Sequence, residues 1–235
     1  MMRIDWIFHR LLDKLGARPA IEGRQSYAQC GEDLIVRFIF DSLRIPAPSY
    51  LDIGAHHPYR LNNTYLFYQA GGRGVNIEPD PELLAGFVDT RPRDINLNIG
   101  IGAHEGVLDF FVMSVSTLNT FSAAEAQALA EDGKVRIERV RKVQVRSVND
   151  VLAEQFRQSP PDFVSIDVEG GDLEILRSWD FSRWRPKVFC VETITYSDLR
   201  NGRKIPEIAE LLQDRGYFAF ADTYVNTIFV DRQAW

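Results

Sequence analysis

The sequence predicts an α/β fold, a mostly parallel sheet of short buried strands with helices on both faces. The run at 50–53, the segment G-V-N-I-E ending at Glu78 and the run at 163–168 are short, largely apolar and end at turns, the pattern of strands covered on both faces. Helix-length segments separate the early runs, as parallel pairing requires. Each run also ends in carboxylates: Asp52 just before Gly54, then Glu78, then Asp167 with Glu169. Open α/β sheets bind small molecules at the carboxyl edge of their strands, so three acidic strand ends point to one site.

A chain of 235 residues, 45% hydrophobic and 26% charged, suffices for one large domain with a well-buried core. Residues 1–24 read as a helical extension and 25–235 as the domain. A net charge of −6 argues against a general nucleic-acid binder, because no face would neutralise a row of phosphates. Cys190 sits in an apolar run, far from Cys30, so a disulfide framework is not expected. No apolar stretch approaches the ~20 residues of a spanning helix, and the N-terminus lacks the pattern of a secretory signal. The expectation is a cytoplasmic protein without a transmembrane segment.

Residues 2–15 place Ile4, Ile7, Leu11, Leu12 and Leu15 among charged positions, an amphipathic helix ended by Gly16. Its polar face is mixed in sign, which favours packing on the domain or on a second copy, a homo-oligomer contact, over a membrane surface. Residues 18–24 read as a linker. Leu34, Ile35, Phe38 and Ile39 predict a helix following Ser26, whose polar start, Gln29, Glu32 and Asp33, either favours the helix dipole or touches a ligand. After the first strand, Asn62 or Asn63 caps a helix to Ala70, and Gly71 with Gly72 ends it. The second strand runs to Glu78, Pro81 opens a helix to Val88, and 95–101 supplies a third strand, completing a βαβαβ half.

The middle is less regular. Residues 106–113 and 135–145 alternate as strands, 114–120 is a loop and 122–131 a helix. Ser147 caps a helix to Phe156. Residues 163–168 and 187–192 are the fourth and fifth core strands, on either side of a helix through Trp179. A helix over 205–215 stops at Gly216, and 217–221 with 227–230 are two closing strands.

The glycine pattern separates two cofactor classes. A pyrophosphate site wants G-x-G-x-x-G, but Gly54 is followed by Ala55, His56, His57, Pro58 and Tyr59, which weakens a nicotinamide-dependent oxidoreductase reading. S-adenosylmethionine has no phosphate and needs one close backbone approach with several polar contacts. Asp52 can order the loop or accept from its ammonium group. Glu78 stands at the next strand end, placed to accept from both ribose hydroxyls, with helix capping as the alternative.

The motifs S-Y-A-Q-C-G-E-D, Y-L-D-I-G-A, N-N-T-Y, R-G-V-N-I-E-P-D-P, S-T-L, V-R-S-V-N-D-V-L and F-V-S-I-D-V-E-G-G-D-L-E-I-L occur in this order. Over about residues 25–195 the chain resembles FkbM-family methyltransferases. The resemblance implies a Rossmann-like class I methyltransferase with sheet order 3-2-1-4-5-7-6, acting as an O-methyltransferase on hydroxyls, often of sugars, with S-adenosylmethionine as donor. It implies cofactor contacts from Gln29, Glu32 and Asp33, from Asp52, Gly54 and Ala55, and from Glu78. His56, His57 and Pro58 stand where many relatives have an Asn-Asp-Gly-like turn.

With that strand order Asp167 and Glu192 end neighbouring strands. Catechol-type O-methyltransferases hold a divalent ion at similar ends, which implies Asp167 and Glu192 as metal ligands and catalytic residues, completed by His57 or Glu169. Oxygen ligands alone suit magnesium or calcium; an imidazole shifts the set toward manganese or another transition ion. Without a metal, His57 is the expected general base. The alternative is that Asp167 and Glu169 are held by backbone amides at the start of the following helix. Residues 116–119 and 196–203 are expected to roof a saccharide or glycan acceptor, and Trp179 and Trp184 to pack in the core. A nonenzymatic S-adenosylmethionine-binding module is the alternative outside enzymes.

Overall fold

The computed structural model describes residues 23–131, 133–157, 159–195 and 202–235. The expected helix at 2–15, its oligomer contact and most of the 196–203 loop lie outside these residues.

Seven strands form the main sheet: β1 (Tyr50–Ile53), β2 (Gly74–Ile77), β3 (Ile95–Leu97), β7 (Phe163–Ile166), β8 (Val188–Glu192), β9 (Tyr217–Asp222) and β10 (Asn226–Asp231). Their order is β3-β2-β1-β7-β8-β10-β9, which is 3-2-1-4-5-7-6 when these seven are counted along the chain. β3 through β8 run parallel, and β10 is antiparallel to both β8 and β9.

Both faces are covered, which is why β1 and β7 are buried at every position. On one face, α1 (Glu32–Ser42) and α2 (Tyr65–Gln69) pack Val36, Ile39, Phe40, Phe67 and Tyr68 against Tyr50, Phe163 and Val188. On the other, α5 (Val148–Gln155), α6 (Asp172–Ser178) and α7 (Pro206–Asp214) pack Val151, Leu152, Ile175, Leu176, Ile208 and Leu212 against Leu51, Ile53, Val164 and Phe189. α3 (Pro81–Thr90) follows β2, its Asp80 cap accepting from the Glu82 amide. Each fully buried Leu, Ile or Phe contributes ~1.5–3 kcal/mol, so these two interfaces supply the main driving force.

Three boundaries differ from the expectation. α1 begins at Glu32, because Gly31 is left-handed (φ 88°), and Ser26 and Tyr27 bond to the Asp33 carboxylate instead of entering the helix. α2 has five residues, too few to stand alone; Asn62 Oδ1 accepts from the Thr64 and Tyr65 amides at its start, while Phe67 and Tyr68 anchor it. The expected strand 95–101 divides. Asn98 Nδ2 donates to the carbonyls of Glu78 and Pro79 where the chain leaves β3. Beyond it β4 (Gly100–Gly102) joins a second sheet with β5 (Gly106–Met113) and β6 (Ile137–Ser147), ordered β4-β6-β5. A 3-10 turn (Ser116–Leu118) and α4 (Ala123–Ala130) follow β5. This small sheet supplies part of the wall over the main sheet's carboxyl edge.

Candidate functional site

Register builds the site. Ile53 pairs with Ile77 and with Ile166, and Ile166 with Val191. The next residues along four adjacent strands are therefore Glu78, Gly54, Asp167 and Glu192, in that spatial order. They open into a cavity of about 700 Å³, also lined by Gln29, His56, Ser116, Asn119, Glu169 and Tyr224.

Gly54 is where the chain leaves the sheet. Its φ is +79°, its amide and that of Ala55 both donate to the Ile77 carbonyl at 3.0 Å, and a Cβ there would collide with the Asp167 carbonyl oxygen. Only glycine leaves the backbone this close to its neighbour and to a ligand. Glu78 is 4% exposed; Oε2 accepts from the His56 amide at 2.9 Å and Oε1 from the Asp80 amide at 2.8 Å. Burial outweighs these bonds and pushes its pKa up to about 7. Each carboxylate oxygen retains acceptor capacity beyond its one amide bond, as needed to receive two ligand hydroxyls.

Asp167, Glu169 and Glu192 form the second feature. A carboxylate oxygen from each can be chosen so that all lie within 4.8 Å of one another. All three acids are pushed up, first by burial and then by neighbouring negative charge: Asp172, Asp52 and Glu32 act on Asp167, Asp167 acts on Glu169 and Glu192, and Asp172 and Glu125 add to the effect on these two. No side-chain hydrogen bond reaches these three carboxyl groups among the described residues. Uncompensated acids at ligand-binding distance fit a hard cation, which binds through such oxygens. Gly171 stands at the N-cap of α6, and the carboxylate that accepts from the backbone of this turn is that of Asp172, whose Oδ1 takes the Val168 amide.

The other expected site residues go elsewhere. Gln29 lines the cavity, but Asp33 does not; its carboxylate accepts from Ser26 Oγ and from the Tyr27 and Leu34 amides, fixing the strap before α1. Glu32 is likewise turned inward, accepting from Thr223 Oγ1 and Asn226 Nδ2. Asp52 lies beneath the loop, its Oδ2 accepting from Asn62 Nδ2 and Thr64 Oγ1. Burial raises its pKa, opposed by the nearby Arg91 guanidinium. Asp52 therefore orders the loop and does not line the cavity. Ala55 is buried behind that loop.

His57 also misses the cavity and the acidic group. Its Nδ1 accepts from the Tyr59 and Arg60 amides, and its ring stands edge-on to Tyr59. His56, with left-handed backbone (φ 51°), turns into the cavity, where Nε2 is 3.0 Å from Ser116 Oγ. Burial first, then His57 and Arg60, lower its pKa and so favour the neutral imidazole. Trp179 and Trp184 are core residues.

Two supports had no local signature. Arg91, fully buried, pairs with Asp94 at 2.8 Å and donates to Asn62 Oδ1 and Thr64 Oγ1, the side chains that hold Asp52. Thr120 reaches from the loop after β5 to the Glu169 carbonyl. No helix among the described residues is long and apolar enough to cross a membrane.

The family profile described as Methyltransferase FkbM domain matches residues 52–219, which include all four strand ends. A protein named methyltransferase sdnD, from Sordaria araneosa, is 32% identical over 83 residues, a match covering 32% of this chain and 30% of that protein. The chain thus spans under a third of the length of that relative. Among solved structures, an O-methyltransferase from Bacillus cereus in complex with S-adenosylhomocysteine is 14% identical, with TM-score 0.42, over 95% of this chain and 88% of the other. A Burkholderia thailandensis 1,6-didemethyltoxoflavin-N1-methyltransferase is 11% identical, with TM-score 0.41, over 97% and 85%. Neither of these two structural likenesses bears on the chemistry of the site.

Proposed function

The chain belongs to the FkbM methyltransferase family, and from that premise we propose that it is an S-adenosylmethionine-dependent O-methyltransferase acting on a hydroxyl of a saccharide or glycan. The observation that carries this reading is the strand-end row: a buried carboxylate at Glu78, a close backbone approach at Gly54, and acids at Asp167 and Glu192 on the next two strands. The donor supplies an electrophilic sulfonium methyl when bound. Glu78 would accept from its ribose hydroxyls, Gly54 would let the backbone approach it, and His56 and Ser116 line the same cavity.

Asp167, Glu169 and Glu192 would hold a divalent cation, and magnesium, calcium or manganese suits an all-carboxylate set. Glu169 takes the third place because His57 is engaged by backbone amides. Such an ion acts as a Lewis acid on an acceptor hydroxyl. Ser116, Thr117, Asn119 and Thr195 offer hydroxyl and amide groups along the wall to orient an acceptor oxygen toward the methyl. Asn119 Nδ2 has no hydrogen-bond partner among the described residues, while its Oδ1 accepts from the Met113 amide. The free thiols Cys30 and Cys190 agree with a reducing, cytoplasmic setting.

The test is transfer of labelled methyl from S-adenosylmethionine to a panel of methyl glycosides and oligosaccharides, before and after rigorous chelation. Label in an ether-linked methyl on sugar, lost on chelation and restored by a divalent ion, supports the whole reading. Transfer to sugar that survives chelation removes the ion; label only on amines or thiols removes the O-methyl assignment.

A further inference from the structure

The turn after β7 is a strained part of the acidic edge. Glu169 has φ 52° and Gly170 φ 103°, so two successive residues are left-handed and the first is not glycine. A non-glycine residue there costs of order 1–3 kcal/mol and persists only where surrounding contacts determine it. Such strain clusters at functional sites, and here it sits on a residue whose carboxylate joins Asp167 and Glu192.

The contact that holds this turn comes from the loop after β5, which bridges back to that strand. Thr120 is 1% exposed and is fixed by two backbone bonds with Phe111, at 2.9 and 3.2 Å. Its hydroxyl accepts from the Ser122 amide at 3.0 Å. That leaves its proton for the Glu169 carbonyl, 2.9 Å away. Ser122 in turn caps α4, whose Glu125 carboxylate lies against the face of Gly170 where a side chain would project. The loop from β5 to α4 is thus a mould pressed against the acid-bearing turn.

We propose that Thr120 is a positioning residue: by fixing the Glu169 carbonyl it holds the left-handed turn that brings the Glu169 carboxylate to the cation-binding group. The inference rests on the divalent-cation reading above. It gives the small second sheet a function apart from walling the cavity, since β5 and the loop after it set the geometry of acids borne by the main sheet. Threonine serves because its hydroxyl donates and accepts at once; valine has the same shape and does neither.

The test is Mn(II) binding to the full chain, followed by loss of the free-ion electron paramagnetic resonance signal, with amide hydrogen exchange over residues 168–172 measured in parallel. Partners behind metal ligands typically govern affinity by 10- to 100-fold. T120V is expected to weaken Mn(II) at least tenfold and to speed exchange in the turn, while T120S keeps both near wild type and S-adenosylhomocysteine affinity is unchanged in both. Wild-type Mn(II) affinity in a folded T120V protein overturns the proposal. If the wild-type chain does not bind Mn(II), the cation reading fails separately; the exchange data then decide the clamp, faster exchange in T120V supporting it and unchanged exchange overturning it.

Discussion

Replacing Glu78 by glutamine separates electrostatics from hydrogen bonding at the donor site. The carboxyl group is neutral in folded and unfolded chains below its ordinary 4.5, and there its burial carries no charge penalty. Between 4.5 and about 7 the unfolded chain ionises first, so stability is lost as pH rises across that window. With a folded pKa of about 7, this loss reaches about 3 kcal/mol in alkaline solution, and changes by roughly 2.5 kcal/mol between about pH 5 and about pH 8. Glutamine removes that dependence. Its NH2 group must face either the His56 or the Asp80 amide, which leaves a buried donor unpaired at a cost of ~1–3 kcal/mol. The variant should therefore be less stable than wild type at about pH 5 and at least as stable at about pH 8. Urea unfolding followed by fluorescence of the buried Trp179 and Trp184 reads this directly. Parallel stability–pH curves for the two proteins would refute the assignment of a buried, partly protonated carboxyl at this position.

Three further outcomes follow from the same geometry. Gly54→Ala should lose donor binding and be destabilised by more than the ~1–3 kcal/mol of left-handed strain, because its Cβ also meets the Asp167 carbonyl; a stable, donor-binding variant would show that the close approach is not required. His57→Ala should lower stability by ~1 kcal/mol through loss of its bonds to the Tyr59 and Arg60 amides, whereas loss of turnover by several orders of magnitude at unchanged stability would restore His57 as the base. Mn(II) affinity should rise from about pH 6 to about pH 8, because the ion needs ionised carboxylates and Asp167, Glu169 and Glu192 are all pushed up; a flat profile in calorimetry would contradict their role as ligands.

The parts legible in sequence were those that local pattern determines. Apolar runs ending at Gly54, Glu78, Asp167 and Glu192 are strands whose last residues must meet at one edge once the crossovers make them parallel. What local pattern lacks is the direction of a side chain after a turn. A single positive φ at His56 sends that imidazole into the cavity and leaves His57 bonded to its own loop, so adjacent histidines exchange roles without any change in composition. Asp33 and Asp52 stand where acids can meet a ligand, yet their oxygens are taken by groups within about a dozen residues, an outcome set by the turn geometry at Gly31 and by Asn62 and Thr64. Residues 95–101 read as one strand because Asn98 looks neutral in a strand pattern; its bonds to the Glu78 and Pro79 carbonyls are what release the chain into the second sheet. Arg91 and Thr120 act on partners 27 to 49 positions away, and neither leaves a periodic trace.

The central claim is that the edge formed by Glu78, Gly54, Asp167 and Glu192 is a methyl-donor site. Calorimetric titration of the folded chain with S-adenosylhomocysteine, beside Glu78→Ala, tests it most directly. Wild type should bind saturably and one to one, and the variant about tenfold or more weakly through loss of the hydrogen bonds to the Glu78 carboxyl group. No binding to folded wild type, or equal affinity for both proteins, would contradict it.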